Sequence, residues 1–252
     1  MRRVKRLVLS GKVQQYLVRK SAQASNSDVQ KEWKCAQQTA IIGDDLFGVL
    51  RKMAGKRERC MYCNDSRGTD IEHFWPKAIF CEKTFRWENM LLVCAGCNRK
   101  KGNRFPMDSD GMPLLIDPSV DEPWLFVDFV PETGELAARW RVDIDRSDPK
   151  GEATTDPTIL PLNIEAVTSG RQRYYRNLCK VVEAFLQSAK SDDGSASEAA
   201  FEQLSNDMVE LSDFGLNRWL FHFSDHSAEP LRDLCSDYPE HWQRLRDITS
   251  LE

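Results

Sequence analysis

Two Cys-x-x-Cys pairs are the feature of this sequence that most constrains its fold. The first pair is Cys60 and Cys63, and the second pair is Cys94 and Cys97. Four thiolates in two close pairs are what a tetrahedral structural zinc site requires, whereas a redox dithiol suits two pairs that flank one segment less well. We therefore expect Zn²⁺ at these four cysteines. Cys81 lies between the pairs and is an alternative ligand.

The composition is that of a globular protein with one large or two small domains. Apolar residues make up 41% and charged residues 29% of the 252 positions, which excludes a disordered chain. No apolar run approaches the roughly 20 residues of a membrane-spanning helix. The run Leu7-Val8-Leu9 is too short for the apolar core of a signal peptide. We expect a cytoplasmic bacterial protein whose four scattered cysteines are packing residues.

Positive charge is concentrated in two segments although the net charge is -4. Residues 1–20 contain seven Lys or Arg and no acidic residue. A second cluster follows the second cysteine pair and consists of Arg99, Lys100, Lys101 and Arg104. A locally basic surface can bind phosphates on an acidic protein, because the interaction is short-ranged at cellular salt. We expect this cluster and Lys77 to contact a nucleic-acid backbone, with a solvated helix face as the alternative for the cluster.

Short apolar runs and turn residues predict a ββα unit between Cys60 and Arg104, the segment that contains both cysteine pairs. Residues 71–74 form a short strand that Pro76 ends, and residues 90–93 form a second apolar strand. Residues 97–102 open a helix that carries the basic side chains.

Changes in composition divide the chain and predict an α+β fold. The predicted segments are a basic N-terminal arm at 1–26, a helical lead-in at 27–56, the ββα core at 57–106, a small antiparallel β meander at 107–161 and a helical region at 162–252. The arm is either a surface arm or one that contacts a partner or nucleic acid. The lead-in contains two helices interrupted at 43–45. In the last region Asn163 caps a long amphipathic helix and residues 190–197 form a flexible linker.

A carboxylate and a histidine are adjacent between the two cysteine pairs. His73 is the only histidine in the first 220 residues, and its ordinary pKa near neutrality lets it accept a proton from water. Glu72 points to the opposite face of a regular strand, so the two side chains serve one site only if a bend redirects one of them. A structural ion pair is the alternative role for these residues.

These residues together resemble an HNH endonuclease of the four-cysteine type. The motif is His73, then Asn89 in Trp87-Glu88-Asn89, then the run from Cys94 to Gly102. The resemblance implies a ββα-metal finger in which the four cysteines bind structural zinc. It implies that His73 is the general base and that Glu72 and Asn98 bind the catalytic cation. Asn89 is implied to hold the loop between the strands and to orient His73.

Two positions depart from the common pattern of this family. Glu72 stands where Asp is common, and Asn98 stands where His is common. Oxygen ligands favour Mg²⁺ or Mn²⁺ over a second zinc.

Further short sequence motifs narrow the resemblance to a subgroup of this family. The motifs are Glu72-His73-Phe74-x-Pro76-Lys77, Leu115-Ile116-Asp117-Pro118 and residues 158–163. They resemble the HNH proteins encoded beside an ABC-type ATPase in Septu and some retron anti-phage systems. This similarity implies a nuclease subunit that an ATPase partner holds and that acts on invading nucleic acid, with DNA favoured.

Two functions of different classes are consistent with these features. The first is a metal-dependent endonuclease, and the second is a zinc-stapled, non-catalytic module that binds nucleic acid or a partner. Only the enzyme needs a second, weaker cation site and a working His73.

Overall fold

The computed structural model describes residues 1–23, 28–190, 194–210, 214–225 and 228–250. The described helices are α1 Gly11–Gln23, α2 Val29–Gln37, α3 Phe47–Ala54, α4 Ala95–Lys101, α5 Pro149–Thr155, α6 Glu165–Lys190, α7 Gly194–Glu210, α8 Leu216–His222, α9 Leu231–Asp237 and α10 Pro239–Ser250. The described strands are β1 Asp70–His73, β2 Met90–Val93, β3 Val127–Val130, β4 Glu135–Ala138, β5 Trp140–Arg141 and β6 Arg146–Ser147. This mixture of helices and small strand pairs confirms the α+β class. Within the described ranges, every helix is too short or too polar to cross a membrane.

The chain forms two compact units. The first contains Met1, Arg3–Val127 and Ala138–Leu162, and the second contains Arg2, Asp128–Ala137 and Asn163–Glu252. Most of β3 and β4 therefore groups with the C-terminal helices, whereas the sequence division places these strands in a β region at 107–161. The contacts responsible are long-range, since the Asn163 side chain binds the backbone of Leu136 in β4.

The ββα unit lies in the first unit and matches the sequence prediction closely. β1 and β2 pair antiparallel, with Asp70 opposite Val93 and His73 opposite Met90. All four residues of β2 are buried, which explains why this strand is an unbroken apolar run. α4 starts directly after Cys94, whose side chain accepts a hydrogen bond from the Cys97 amide, and it stops at Gly102. Gly102 has φ 48°, a left-handed conformation that favours glycine at helix ends.

The segment around the first cysteine pair docks onto β2 through its backbone. The Met61 amide donates to the Leu92 carbonyl oxygen at 2.9 Å. Gly68 is required by a close approach, because a Cβ there would lie 2.4 Å from Leu92 Cγ. The first pair is thus tied to the same strand that leads into the second pair.

The N-terminal segment packs into the first unit rather than projecting from it. Residues 1–10 have neither helix nor strand, yet Met1, Val4 and Leu9 are buried. In the lead-in, α2 and α3 are separated by residues 38–40 and a π-helical turn at Ile41–Leu46. The predicted interruption at 43–45 therefore falls inside this turn. Residues 24–27, which include the end of the predicted arm, lie outside the described residues.

The β region consists of separate two-stranded sheets rather than one continuous meander. β3 pairs with β4, and β5 pairs antiparallel with β6. The turn between β3 and β4 uses Gly134 at φ 77°, where a Cβ would lie 2.2 Å from the Thr168 carbonyl oxygen. Glycine is therefore needed here for both its conformation and its small size.

The second unit is built around the long helix α6. Its buried face includes Tyr174, Leu178, Val182 and Phe185, whose spacing is that of an amphipathic helix. Asn163 does not cap this helix, because its amide bonds the backbone nitrogen and oxygen of Leu136, each at 2.9 Å. α6 continues to Lys190 and α7 begins at Gly194, so most of the predicted linker is helical. Residues 191–193, the rest of that linker, lie outside the described residues.

Candidate active site

The two cysteine pairs converge on one cluster that can bind a metal ion. The sulfur atoms of Cys60, Cys63, Cys94 and Cys97 all lie within 4.8 Å of one another. The Cys63 and Cys94 sulfurs are 3.9 Å apart, and tetrahedral zinc with bonds of about 2.3 Å separates its sulfurs by about 3.8 Å. Cys81 is not part of the cluster among the described residues. The donor set and spacing therefore fit one tetrahedral metal ion.

The electrostatics of the cluster also favour a bound cation. Burial raises the pKa of Cys60, whereas hydrogen bonds from Cys60, Cys63 and Cys97 hold the pKa of Cys94 well below its usual value. Four adjacent thiolates repel one another unless a cation neutralises them.

Successive residues of β1 face two different neighbours. Asp70 and Glu72 contact side chains of α4, whereas the His73 ring contacts Trp33 of α2. The period of two residues in a strand produces this division. β1 is regular over its whole length, so no bend brings Glu72 and His73 to the same face.

The carboxylate of Glu72 forms a buried ion pair with Lys101. Lys101 Nζ donates to Glu72 Oε1 at 2.6 Å and to the His73 carbonyl oxygen at 3.1 Å. Burial raises the pKa of Glu72 and lowers the pKa of Lys101, and each partner opposes the shift of the other. The Lys101 side chain is 0% exposed. This burial does not fit the predicted contact of Lys101 with a phosphate, and it gives Lys101 a structural role instead.

The second contact between β1 and α4 joins Asp70 and Asn98. Asn98 Nδ2 donates to Asp70 Oδ2 at 2.8 Å, and both side chains are half-buried. They line a groove of about 620 Å³ together with Lys77. The groove is also lined by residues of α2, namely Gln30, Trp33, Lys34 and Gln37.

The imidazole of His73 is fixed in one tautomer by its surroundings. Its Nε2 lies 2.9 Å from the Thr84 carbonyl oxygen, which can only accept, so Nε2 carries the proton. Nδ1 then has a free lone pair, and it is buried without a hydrogen-bond partner among the described residues. Burial, together with the charges of Lys77 and Lys101, lowers the pKa of His73 to about 3. His73 is therefore a neutral base at physiological pH.

A tryptophan from the lead-in packs against this base. The ring centroids of Trp33 and His73 are 4.5 Å apart and the rings are nearly perpendicular. Trp33 is 3% exposed and also contacts Phe85. The imidazole therefore lies between the hairpin and α2, enclosed in protein.

Asn89 ties together the loop that connects β1 to β2. Its Oδ1 accepts from the Trp75 amide at 2.7 Å, and its Nδ2 donates to the carbonyl oxygens of Trp75 and Lys83, each at 3.0 Å. Because Lys83 directly precedes Thr84, these bonds hold the loop near the carbonyl that anchors His73. This geometry is what a loop-holding asparagine requires.

Arg6, from the N-terminal segment, fastens the turn that carries Asn89. Its guanidinium donates to the carbonyl oxygens of Trp87, Glu88 and Met90 at 2.6–2.9 Å, and to Ser119 Oγ at 2.9 Å. Burial lowers the pKa of Arg6, although the charge of Asp117 opposes the shift. The turn at Trp87–Asn89 is therefore held from outside the ββα unit.

The remaining predicted basic residues are accessible. Arg99, Lys100 and Arg104 are exposed on and after α4, and Lys77 is half-buried beside the groove. Arg104 also donates to the Lys100 carbonyl oxygen near the end of the helix.

Three residues at this site, Asp70, Trp33 and Arg6, were not predicted from the sequence. The alternation along β1 was a usable signal for Asp70, because it shares a face with Glu72. Trp33 and Arg6 gave no such signal, since both reach the site from elements far away in the chain.

Residues 60–104 match the model of the HNH endonuclease family. The matched range begins at Cys60, the first cysteine of the cluster, and contains the whole ββα unit. Together with the four-cysteine cluster, this match defines an HNH domain of the predicted type.

A similarity to one curated protein extends beyond this domain. The chain is 31% identical over 104 residues to the Septu protein PtuB of Bacillus thuringiensis. The alignment covers 38% of this chain and 39% of the relative, so it spans about two fifths of the relative's length. No solved structure matches the chain.

Loss of one cysteine of the cluster should remove the bound metal ion and destabilise the first unit. Because the cluster joins the segment before β1 to α4, we expect Cys94→Ser to lower the melting temperature and the metal content measured by elemental analysis. Each kcal/mol lost shifts the melting temperature by about 2–4 °C in a chain of this size. Cys35→Ser, at an exposed cysteine outside the cluster, is the matched control. Equal metal content and melting temperature in the two variants would refute the metal site.

Burial of neutral His73 should destabilise the folded protein at acidic pH. The unfolded chain binds a proton at this histidine near pH 6.5, whereas burial lowers the pKa in the folded protein to about 3. Stability therefore falls as the pH falls through this window, by up to about 1.4 kcal/mol per pH unit. We expect urea unfolding at pH 7, 6 and 5, without added divalent cations, to show a steeper loss in the wild type than in His73→Gln. Equal slopes would contradict the buried neutral state.

Proposed function

We propose that this protein is a metal-dependent endonuclease that hydrolyses phosphodiester bonds in nucleic acid. The observation that carries the proposal is the fixed tautomer of His73, within a region that matches the HNH endonuclease family. A histidine with one nitrogen anchored and the other free is arranged to accept a proton from water.

Nδ1 of His73 is the atom to which we assign the role of general base. The Thr84 carbonyl oxygen holds the opposite nitrogen, and Asn89 supports the loop that presents this carbonyl. For water to reach Nδ1, the residues packed around the imidazole, which include Trp33, have to move, because Nδ1 is buried in the described conformation.

We assign the catalytic cation to the α4 side of β1, with Glu72 and Asn98 as its ligands. Their oxygens suit Mg²⁺ or Mn²⁺, either of which, when bound, stabilises negative charge on the phosphate and on the leaving oxygen. The Lys101 ammonium group already neutralises the Glu72 carboxylate. Glu72 therefore has to lose its contact with Lys101 before it can bind the cation. Asn98 lines the groove beside Lys77, which places a positive charge next to a bound phosphate.

We assign structural zinc to the four-cysteine cluster. Four sulfurs without a histidine or an open position form a closed site, which is typical of structural zinc. In this position the cysteines hold α4, and with it Asn98, against the hairpin.

The proposed substrate and partner follow from the charges and the relative. Arg99, Lys100, Arg104 and Lys77 supply the phosphate contacts, which carry no base specificity, and DNA is the favoured substrate. The similarity to a Septu protein supports a role as the nuclease of an anti-phage defence complex with an ATPase partner. Cleavage of plasmid DNA and of total RNA by the purified protein, alone and with such a partner, tests both parts.

A non-catalytic adaptor is the second candidate, and the buried Nδ1 and the Glu72–Lys101 pair favour it. Such a module keeps its nucleic-acid or partner binding in His73→Ala and shows no Mg²⁺-dependent cleavage.

Replacement of His73 should slow cleavage strongly without loss of nucleic-acid binding. General-base catalysis contributes about 10²–10⁴-fold, so we expect His73→Ala to lower the rate of plasmid nicking with Mg²⁺ or Mn²⁺ by that factor. His241→Ala, purified in the same way, is the control because this histidine lies in the second unit. A wild-type rate in His73→Ala, with binding unchanged, would exclude this histidine as the base.

Removal of Lys101 should make stability depend on the divalent cation. Lys101→Met leaves the buried carboxylate of Glu72 unpaired, which costs about 3–5 kcal/mol of unfolding free energy. If Glu72 is a cation ligand, added Mn²⁺ should recover more stability in Lys101→Met than in the wild type. The double variant Glu72→Gln, Lys101→Met is the control and should gain little from Mn²⁺. An equal gain in all three proteins would remove Glu72 from the ligand set.

A further inference from the structure

We infer that Asp70 is a positioning residue, which sets the orientation of the Asn98 amide so that its oxygen is available to the cation. This inference rests on the proposed function, because it concerns the cation site of that reaction. It adds a residue that lies on the same face of β1 as Glu72 but two positions earlier.

The hydrogen-bonding capacity of the two side chains fixes the orientation. An asparagine amide has one end that donates and one that accepts, whereas an ionised carboxylate only accepts. The end of Asn98 that lies 2.8 Å from Asp70 Oδ2 is therefore Nδ2. Oδ1, which is the atom that can bind a cation, then points away from Asp70. Without Asp70, the amide can rotate by half a turn and present Nδ2 to the cation instead.

The backbones of both residues are held independently of this bond. Asp70 begins β1, opposite Val93, and the adjacent Thr69 amide donates to the Val93 carbonyl oxygen at 2.8 Å. Asn98 lies inside α4, where its amide donates to the Cys94 carbonyl oxygen at 3.0 Å. A change at Asp70 therefore acts on the amide of Asn98 rather than on the fold around it.

Asp70 and Asn98 are also exposed enough for a ligand to reach them. Both side chains are half-buried and line the groove that Lys77 shares. Glu72, by contrast, is 6% exposed and engaged by Lys101. Asn98 is thus the proposed ligand that a cation in the groove can reach first, and the orientation of its amide decides whether it is a ligand at all.

The experiment compares Asp70→Asn in the wild-type chain with the same substitution in Asn98→Ala. The Asn side chain keeps the size of Asp but donates as well as accepts, so it no longer holds the Asn98 amide in one orientation. The lost charge is the same in both backgrounds, so a difference between them reports an effect that acts through Asn98. Loss of a residue that orients a metal ligand typically costs 10–100-fold in metal affinity. We expect Asp70→Asn to weaken Mn²⁺ binding at least tenfold in the wild-type chain and much less in Asn98→Ala, measured by electron paramagnetic resonance of free Mn²⁺ on the zinc-loaded full chain.

A second measurement follows the amide itself without any added Mn²⁺. The side-chain NH₂ signals of Asn98, assigned by their loss in Asn98→Ala, should shift in Asp70→Asn, because the NH₂ no longer donates to a carboxylate; unchanged signals would contradict the inference. Retained zinc content shows that the fold persists in each variant.

Each outcome decides the inference. Equal weakening by Asp70→Asn in the wild-type chain and in Asn98→Ala overturns it, and so does wild-type affinity in Asp70→Asn. If either result appears while Asn98→Ala itself binds Mn²⁺ more weakly than the wild type, only the positioning role fails and the proposed function stands. If Asn98→Ala binds Mn²⁺ like the wild type, the cation site of the proposed function fails, and the inference fails with it.

Discussion

The cluster of four cysteine sulfurs is the constraint on which the rest of the HNH domain depends. It joins a segment that is docked on β2 to the first turn of α4, so the helix leaves the hairpin in a fixed direction. Asn98 and Lys101 lie on that helix, and their contacts with Asp70 and Glu72 require this direction. A short hairpin and a two-turn helix have too little apolar surface to hold such an arrangement alone.

Successive side chains of β1 point to opposite faces of the strand, and the two faces have different contacts. One face meets α4 and carries the carboxylates, and the other face carries His73 into the lead-in, against Trp33. Each polar group at the site is in turn held by a second group. Thr84 anchors the imidazole, Lys101 neutralises Glu72, and Asp70 fixes Asn98. This arrangement limits the freedom of side chains that have to act at defined positions.

The sequence predicted those parts of the fold that depend on local spacing. The cysteine pairs, the apolar run of β2 and the start of α4 follow from patterns within a few residues, and the structure agrees with them. Asn163 shows the opposite case, because an asparagine before a helix usually caps it, yet here β4 offers a better partner. The contacts of Arg6 and Trp33 depend on how distant segments pack, so local patterns contain no information about them. Lys101 was misjudged because a run of basic residues looks uniform in sequence, whereas one position per helical turn faces the core.

The position of Trp33 links the chemistry to a part of the chain that the HNH family model does not include. α2 lies outside residues 60–104, yet its Trp33 indole packs on the proposed base, and its polar side chains line the groove. A molecule that binds the lead-in and shifts α2 would therefore change the packing around the imidazole without touching the ββα unit. The environment of the proposed base would then be set by a helix outside residues 60–104.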